Sequence, residues 1–177
     1  MSIVTDWTLE QFLRLPEAKP ALEYECGTVS QKASPTTEHA LLQVRIARLL
    51  DDLGSGRAFT ELRVLLVPEA SKVPDVAFYV NDELPRGPHG RWLRYPEWAP
   101  SVAVEIASPD QDLDELRAKC RFYRAHGSAV ALLVLPETET VEVFTAAADP
   151  ATVTGDEPLS DELAITPAQI FAALHAQ

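Results

Sequence analysis

The sequence predicts an α/β fold: a mixed twisted sheet of about five or six strands with α-helices packed against it. Two observations predict it. Stretches with the period of two that suits strands (LEYECGTVSQ, VPDVAFYV, VAVEIA, VALLVL and TVEVF) alternate through the middle of the chain with two stretches of helical period, Thr36–Leu53 and Pro109–Ala125. The 177 residues are 46% apolar at ordinary charge density, which fits a single domain, 1–177, with a sizeable core. No apolar run approaches membrane-spanning length, so no membrane partner is expected. There is neither a Gly-rich phosphate loop nor a Gly-x-Ser-x-Gly elbow. Nucleoside triphosphatase and serine hydrolase readings therefore have no support, and no nucleotide cofactor is expected.

The elements follow in order. MSIVTDWTLEQFL lacks a basic region followed by an apolar run, so no secretory signal is expected and the cytoplasm is the default. Cys26 and Cys120 are then expected to be free thiols. Thr8-Leu9-Glu10-Gln11 is a capping box that begins a short helix ending near Leu15-Pro16. LEYECGTVSQ alternates around Gly27 and predicts a strand or hairpin, with Glu23 an exposed strand residue on composition alone. In Thr36–Leu53, Leu42, Ile46, Leu49, Leu50 and Leu53 recur at helical spacing and Gly54 stops the run. His39 lies three before Leu42, on the buried face, where a lone histidine is more often a satisfied core residue than a ligand. Strands are predicted at Leu62–Val67 and Val73–Val80. Beyond Gly127, VALLVL is a buried strand with TVEVF as its hairpin partner. Ala146–Glu162 is a polar connection, and Thr166-Pro167 caps a last helix that docks through Ile170, Phe171 and Leu174.

Three residues carry candidate chemistry. In VAVEIA, Val102, Val104 and Ile106 point one way and Ala103, Glu105 and Ala107 the other, so Glu105 projects between two small neighbours. Ser108-Pro109-Asp110-Gln111 has the form of a capping box and predicts a helix from Pro109. Along that helix Leu113, Leu116, Cys120 and Tyr123 form an apolar stripe with Lys119 at its border, so that Glu105 and Lys119 converge. A half-buried structural ion pair fits the same pattern. Thirty residues before Glu105, Asp75 follows Pro74 and shares a strand face with Ala77 and Tyr79. Two carboxylates can hold a hard divalent cation such as Mg2+, and a lysine beside them can orient a water or neutralise a phosphate oxygen.

The order Pro-Asp on one strand, Glu on the next apolar strand and Lys on the following helix resembles the PD-(D/E)XK nuclease superfamily. From about Thr8 to about Phe144 the chain looks like its Uma-type branch of restriction-endonuclease-like proteins. The family's Pro-Asp falls on Pro74-Asp75, its Glu on Glu105 and its helical Lys on Lys119. Its early Tyr-Glu-Leu-Ile-Asp-Gly stretch falls on LEYECG with Glu23 and Gly27, and its histidine on His39. Cys26 stands where the family usually has Asp, Thr28 where it often has Glu, and Ala107 where the wider superfamily has Lys, so Lys119 must supply the ammonium. The resemblance implies a restriction-endonuclease-like fold with residues 145–177 as an acidic extension. It also implies DNA phosphodiester hydrolysis with Mg2+ or Mn2+ held by Asp75, Glu105 and the Ile106 backbone carbonyl, with Lys119 catalytic and Glu23 and His39 lining the site. A nuclease acting on both strands is further expected to be a homodimer.

The segment ELPRGPHGRWLRYPEW interleaves Arg86, Arg91 and Arg94 with Trp92 and Tyr95 and suits contact with phosphates and bases, although a structured connecting loop has the same composition. Charge runs the other way: the net charge is −12. No Lys or Arg follows Arg124, where eight of the 27 acids lie, so residues 1–124 carry 15 cations against the other 19 acids. The acidic third is therefore expected to face away from nucleic acid, or towards a basic partner. The alternative to a nuclease is a nuclease-fold module that binds nucleic acid or a protein partner without cutting.

Overall fold

The computed structural model describes residues 3–4, 6–66 and 68–175. In chain order the elements are β1 (Ile3–Val4), α1 (Leu9–Leu13), β2 (Leu22–Glu25), β3 (Thr28–Gln31), α2 (Thr37–Asp52), β4 (Gly56–Thr60), β5 (Val64–Leu66), β6 (Ala70–Lys72), β7 (Val76–Val80), β8 (Val102–Ile106), α3 (Leu113–Ala125), β9 (Val130–Leu135), β10 (Thr140–Phe144), β11 (Ala151–Thr154) and α4 (Pro167–His175). They form a six-stranded mixed sheet, β11-β10-β9-β8-β7-β4, and a five-stranded antiparallel sheet, β1-β3-β2-β6-β5. The first is the predicted mixed sheet; the second, smaller one is an addition the periodicity did not separate from it. The chain crosses between the two sheets from β3 to β4, from β4 to β5 and, through Val73-Pro74-Asp75, from β6 to β7.

Side-chain parity sorts the larger sheet into two cores. Val102, Val104 and Ile106 join Val76 and Phe78 on the face covered by Leu42, Ile46 and Leu50 of α2 and by Ile170 and Phe171 of α4. Each such side chain, fully buried, contributes roughly 1.5–3 kcal/mol. Ala77, Ala103, Ala107 and Ala131 line the other face, against Leu116, Cys120 and Tyr123 of α3. Small residues there let α3 lie close to the strands and bring its polar border within reach of Glu105.

Local signals account for the element ends. The Thr8 capping box forms in both directions, and so does one between Thr166 and Gln169 at the start of α4. Thr36 caps α2 by accepting from the His39 amide. Between β2 and β3 the two-residue turn places both Cys26 and Gly27 at positive φ, 44° and 87°, as a tight hairpin turn requires.

Three boundaries differ from expectation. α3 begins at Leu113, not Pro109: Asp110 sits at φ 68°, outside the helical region, and Asp112 is the cap. Only half of the expected box forms, Gln111 Oε1 accepting from the Ser108 amide. The expected strand Val73–Val80 starts at Val76, because Pro74 and its neighbours make the passage between sheets. That predicted at Leu62–Val67 is Val64–Leu66, with Val67 outside the described residues. Ala146–Glu162 is not merely a polar connection. It contains β11, which pairs with β10, and it buries Val153 and Leu159.

Candidate active site

Asp75 immediately precedes β7, whose Val76 stands opposite Val104 on β8, so the antiparallel register carries Asp75 to a place across from Glu105. Both acids are on the α3 face, and both are only 2% exposed. Asp75 Oδ2 accepts from the Ile106 amide at 2.7 Å, which ties the start of one strand to the end of the next. In an extended strand the amide and carbonyl of one residue point to the same edge, so the Ile106 carbonyl is directed to the Asp75 side.

Lys119 reaches this pair from α3 with its ammonium 3.0 Å from Glu105 Oε1 and 2.8 Å from Glu23 Oε1. Glu23 is thus buried rather than exposed on its strand, and it also accepts from the Val73 amide at 2.7 Å. That second bond fixes the passage leading to Asp75. Tyr123, one turn beyond Lys119, donates its hydroxyl to Glu105 Oε1 at 2.9 Å. Both contacts to Glu105 fall on Oε1, which leaves Oε2 without a protein donor among the described residues.

Four further residues complete the centre. Lys32, just past β3, places its ammonium 2.6 Å from Asp75 Oδ1, 2.8 Å from the Val73 carbonyl and 3.2 Å from Glu61 Oε1. Gln43 on α2 donates to Glu61 Oε1 at 3.0 Å and to the Asp75 carbonyl at 2.9 Å. His39, one turn earlier, brings Nε2 to 3.3 Å from Asp75 Oδ1 without the alignment of a hydrogen bond, and both its ring nitrogens are buried with no hydrogen-bond partner. It is therefore not the satisfied core histidine expected from composition. Lys32, Gln43, Glu61 and Tyr123 were not expected in the site. Lys32 and Gln43 carry no periodic signal, and Tyr123 was visible only as a member of the apolar stripe.

The electrostatics follow from burial and charge count. Three buried carboxylates, Glu23, Asp75 and Glu105, lie among the ammonium groups of Lys119, Lys32 and Lys72. Burial raises the Glu105 carboxyl to about 7, with the like charges of Asp75 and Glu23 adding to the shift against the pull of Lys119 and Lys32. Burial also pushes Glu23 upwards, but Lys119, Lys72 and Lys32 outweigh it and hold that carboxyl below its ordinary range. Burial opposes charge on Lys119 too, yet Glu105, Glu23 and Asp75 raise its pKa and keep it an ammonium. Burial raises the Tyr123 hydroxyl well above its usual range, with Glu105 adding to it, so it acts as a donor. Among the described residues no group of three or more His, Cys, Asp or Glu side chains is placed to hold a metal ion. The donor set nevertheless offers what one hard divalent cation takes: two adjacent carboxylates and a backbone carbonyl.

The arginine loop is placed differently. It joins the end of β7 to the start of β8, the ends remote from Asp75 and Glu105. Its tip is folded: Arg86 bridges to Trp92 in antiparallel fashion, stacks over the Trp92 ring at 3.8 Å and donates to the Gly90 carbonyl. Arg94 lies 5.0 Å from the Tyr95 ring and 3.5 Å from Glu17, and Arg91 is exposed. Tyr79 and the Trp98 indole anchor the loop base, the first by donating to the Trp98 carbonyl and the second to the Glu83 carbonyl.

A mixed sheet that brings an Asp at a strand start, a strand-borne Glu and a helical Lys to one buried point has the order that the sequence resemblance implied. A solved structure described as a "putative nuclease belonging to DUF820" from Anabaena variabilis ATCC 29413 superimposes with a TM-score of 0.84 at 29% identity, over 95% of this chain and 99% of that one. The family model Uma2, described as "Putative restriction endonuclease", matches residues 9–174, and the chain belongs to this family. The match extends through the acidic C-terminal third, beyond the residues that carried the resemblance in the sequence. No curated protein matches the chain. No helix among the described residues is long and apolar enough to cross a membrane.

Proposed function

We propose that the protein is a divalent-metal-dependent DNA endonuclease that hydrolyses phosphodiester bonds at Asp75, Glu105 and Lys119. The observation that carries the reading is the placement of two carboxylates across adjacent strands, with a buried ammonium 3.0 Å from one of them. Asp75, Glu105 and the Ile106 carbonyl would hold Mg2+ or Mn2+, which when bound supplies Lewis-acid polarisation of the scissile phosphate. Lys119 keeps its proton and is positioned by Glu23 and Glu105 to orient the attacking water and to offset charge developing on the phosphate. Tyr123 holds Glu105 in one rotamer, and the Ile106 amide holds Asp75. Arg86, Arg91 and Arg94 would contact the DNA backbone away from the bond being cut, and two copies in a homodimer would cut both strands.

The test is cleavage of plasmid and linear DNA by the purified protein with Mg2+, Mn2+ or EDTA, beside an Asp75→Asn variant. Cleavage that needs the metal and is lost in Asp75→Asn supports the reading; metal-independent cleavage, or cutting by Asp75→Asn at the wild-type rate, overturns it. The alternative, a module that binds without cutting, draws on the net charge of −12 and on the closed pairing of Lys119 with two acids. It predicts no cleavage under any metal, with binding to nucleic acid or a basic protein retained.

A further inference from the structure

Lys32 is the second buried ammonium of the centre, and its surroundings are all oxygen. An ammonium has three hydrogens to donate, and here they go to the Val73 carbonyl at 2.8 Å, Asp75 Oδ1 at 2.6 Å and Glu61 Oε1 at 3.2 Å. With all three engaged and its side chain 11% exposed, Lys32 has no donor to offer a phosphate.

Groups other than Lys32 also hold the cradle: Gln43 donates to the Glu61 carboxylate, the Ile106 amide donates to the Asp75 carboxylate, and Glu23 accepts from the amide of Val73, whose carbonyl is the third oxygen. Glu61 itself sits at φ 52°, a conformation disfavoured for a residue with a side chain, with its amide bonded to the Asp75 carbonyl at 3.3 Å. Strain of this kind persists only where the surroundings enforce it. A carboxylate, a carbonyl and a second carboxylate fixed by neighbours form the oxygen set that a hard divalent cation takes. Asp75 belongs both to this cradle and to the pair with Glu105, as a carboxylate shared between the two ions of a two-metal centre would.

We propose that the Lys32 ammonium occupies the second cation position of the centre, so that the protein takes a single divalent ion, and that removing the Lys32 charge opens a two-ion site. The inference rests on the reading that Asp75 and Glu105 hold a divalent cation. It assigns Lys32 a role no other residue shares: it stands in for a metal ion, without touching substrate.

The experiment counts Mn2+ bound per chain by electron paramagnetic resonance and calorimetry, without DNA. The wild type is expected to bind one ion, Lys32→Gln and Lys32→Met two, and Lys32→Arg, which keeps the charge, one. Lys32→Met retains the apolar stem and so serves should Lys32→Gln fail to fold. Two ions on the wild type, or one ion on a folded Lys32→Gln or Lys32→Met at unchanged affinity, would each overturn the proposal and leave the metal-dependent reading standing. A wild type that binds no Mn2+ overturns both.

Discussion

Glu105 and Lys119, fourteen residues apart, meet at 3.0 Å because a strand and the helix that follows it lie face to face over a layer of alanines. Glu105 is almost wholly buried there, and the first two testable consequences follow from that burial.

The first consequence is in stability. Burial raises Glu105 from 4.5 to about 7 in the folded protein. Between those values the native state binds more protons than the unfolded chain, so the contribution of this group to stability falls as pH rises from about 4.5 to about 7. In metal-free protein, Glu105→Gln should therefore be more stable than wild type at pH 8, by a few kcal/mol in order of magnitude. The gain should vanish at pH 5, as thermal melts at the two pH values would show.

Metal binding should release a proton near neutrality. A divalent cation favours the ionised carboxylate, so calorimetric titration with Mg2+ at pH 6.5 should give an apparent heat that varies with the ionisation enthalpy of the buffer. A heat independent of the buffer would mean that Glu105 is already ionised or does not meet the ion.

Lys119→Met should lower DNA cleavage by at least about a hundredfold, the scale of a single transition-state donor. Metal affinity should be unchanged or higher, since the variant no longer places a cation beside the ion. A Lys119→Met protein that cuts at the wild-type rate would remove the lysine from the chemistry.

For the loop, changing Arg86, Arg91 and Arg94 together to Gln should weaken DNA binding and flatten its salt dependence by about one unit for each phosphate that an arginine no longer neutralises. Metal binding should be retained, because the loop joins the strand ends remote from Asp75 and Glu105. Arg86 also packs on Trp92, so Arg91→Gln with Arg94→Gln alone separates DNA binding from loop order. An unchanged salt slope in the triple variant would make the loop a structural connection.

Sedimentation at micromolar concentration should find a dimer if both strands of a duplex are cut. A monomer that makes only single-strand nicks would instead confine the activity to one strand.

How much of this was legible in the sequence depends on range. The period of two placed Asp75 and Glu105 on one face, and the helical stripe placed Lys119 at its edge; both are local patterns that the sheet and α3 reproduce. Lys32 was illegible because it lies just beyond an alternating strand, in the run Gln31-Lys32-Ala33-Ser34. Its partners Asp75 and Glu61 come from the junction of two sheets, and no local period records how the smaller sheet docks. Tyr123 was half legible: its ring satisfied the stripe while its hydroxyl, free to serve a polar neighbour, went to Glu105. The start of α3 was misplaced because Ser108-Pro109-Asp110-Gln111 carries a cap signal that Asp110, at positive φ, turns into a bend.

The ion pairs from Lys119 to Glu23 and Glu105 join an early hairpin, a middle strand and a late helix. Such long-range contacts form late, once the intervening chain has been brought together. A chain still on the ribosome that has not yet released α3 holds its acids without their lysine, and so does a product broken off before that helix. On the proposed function, the cutting centre is therefore incomplete until synthesis of the fold has passed α3.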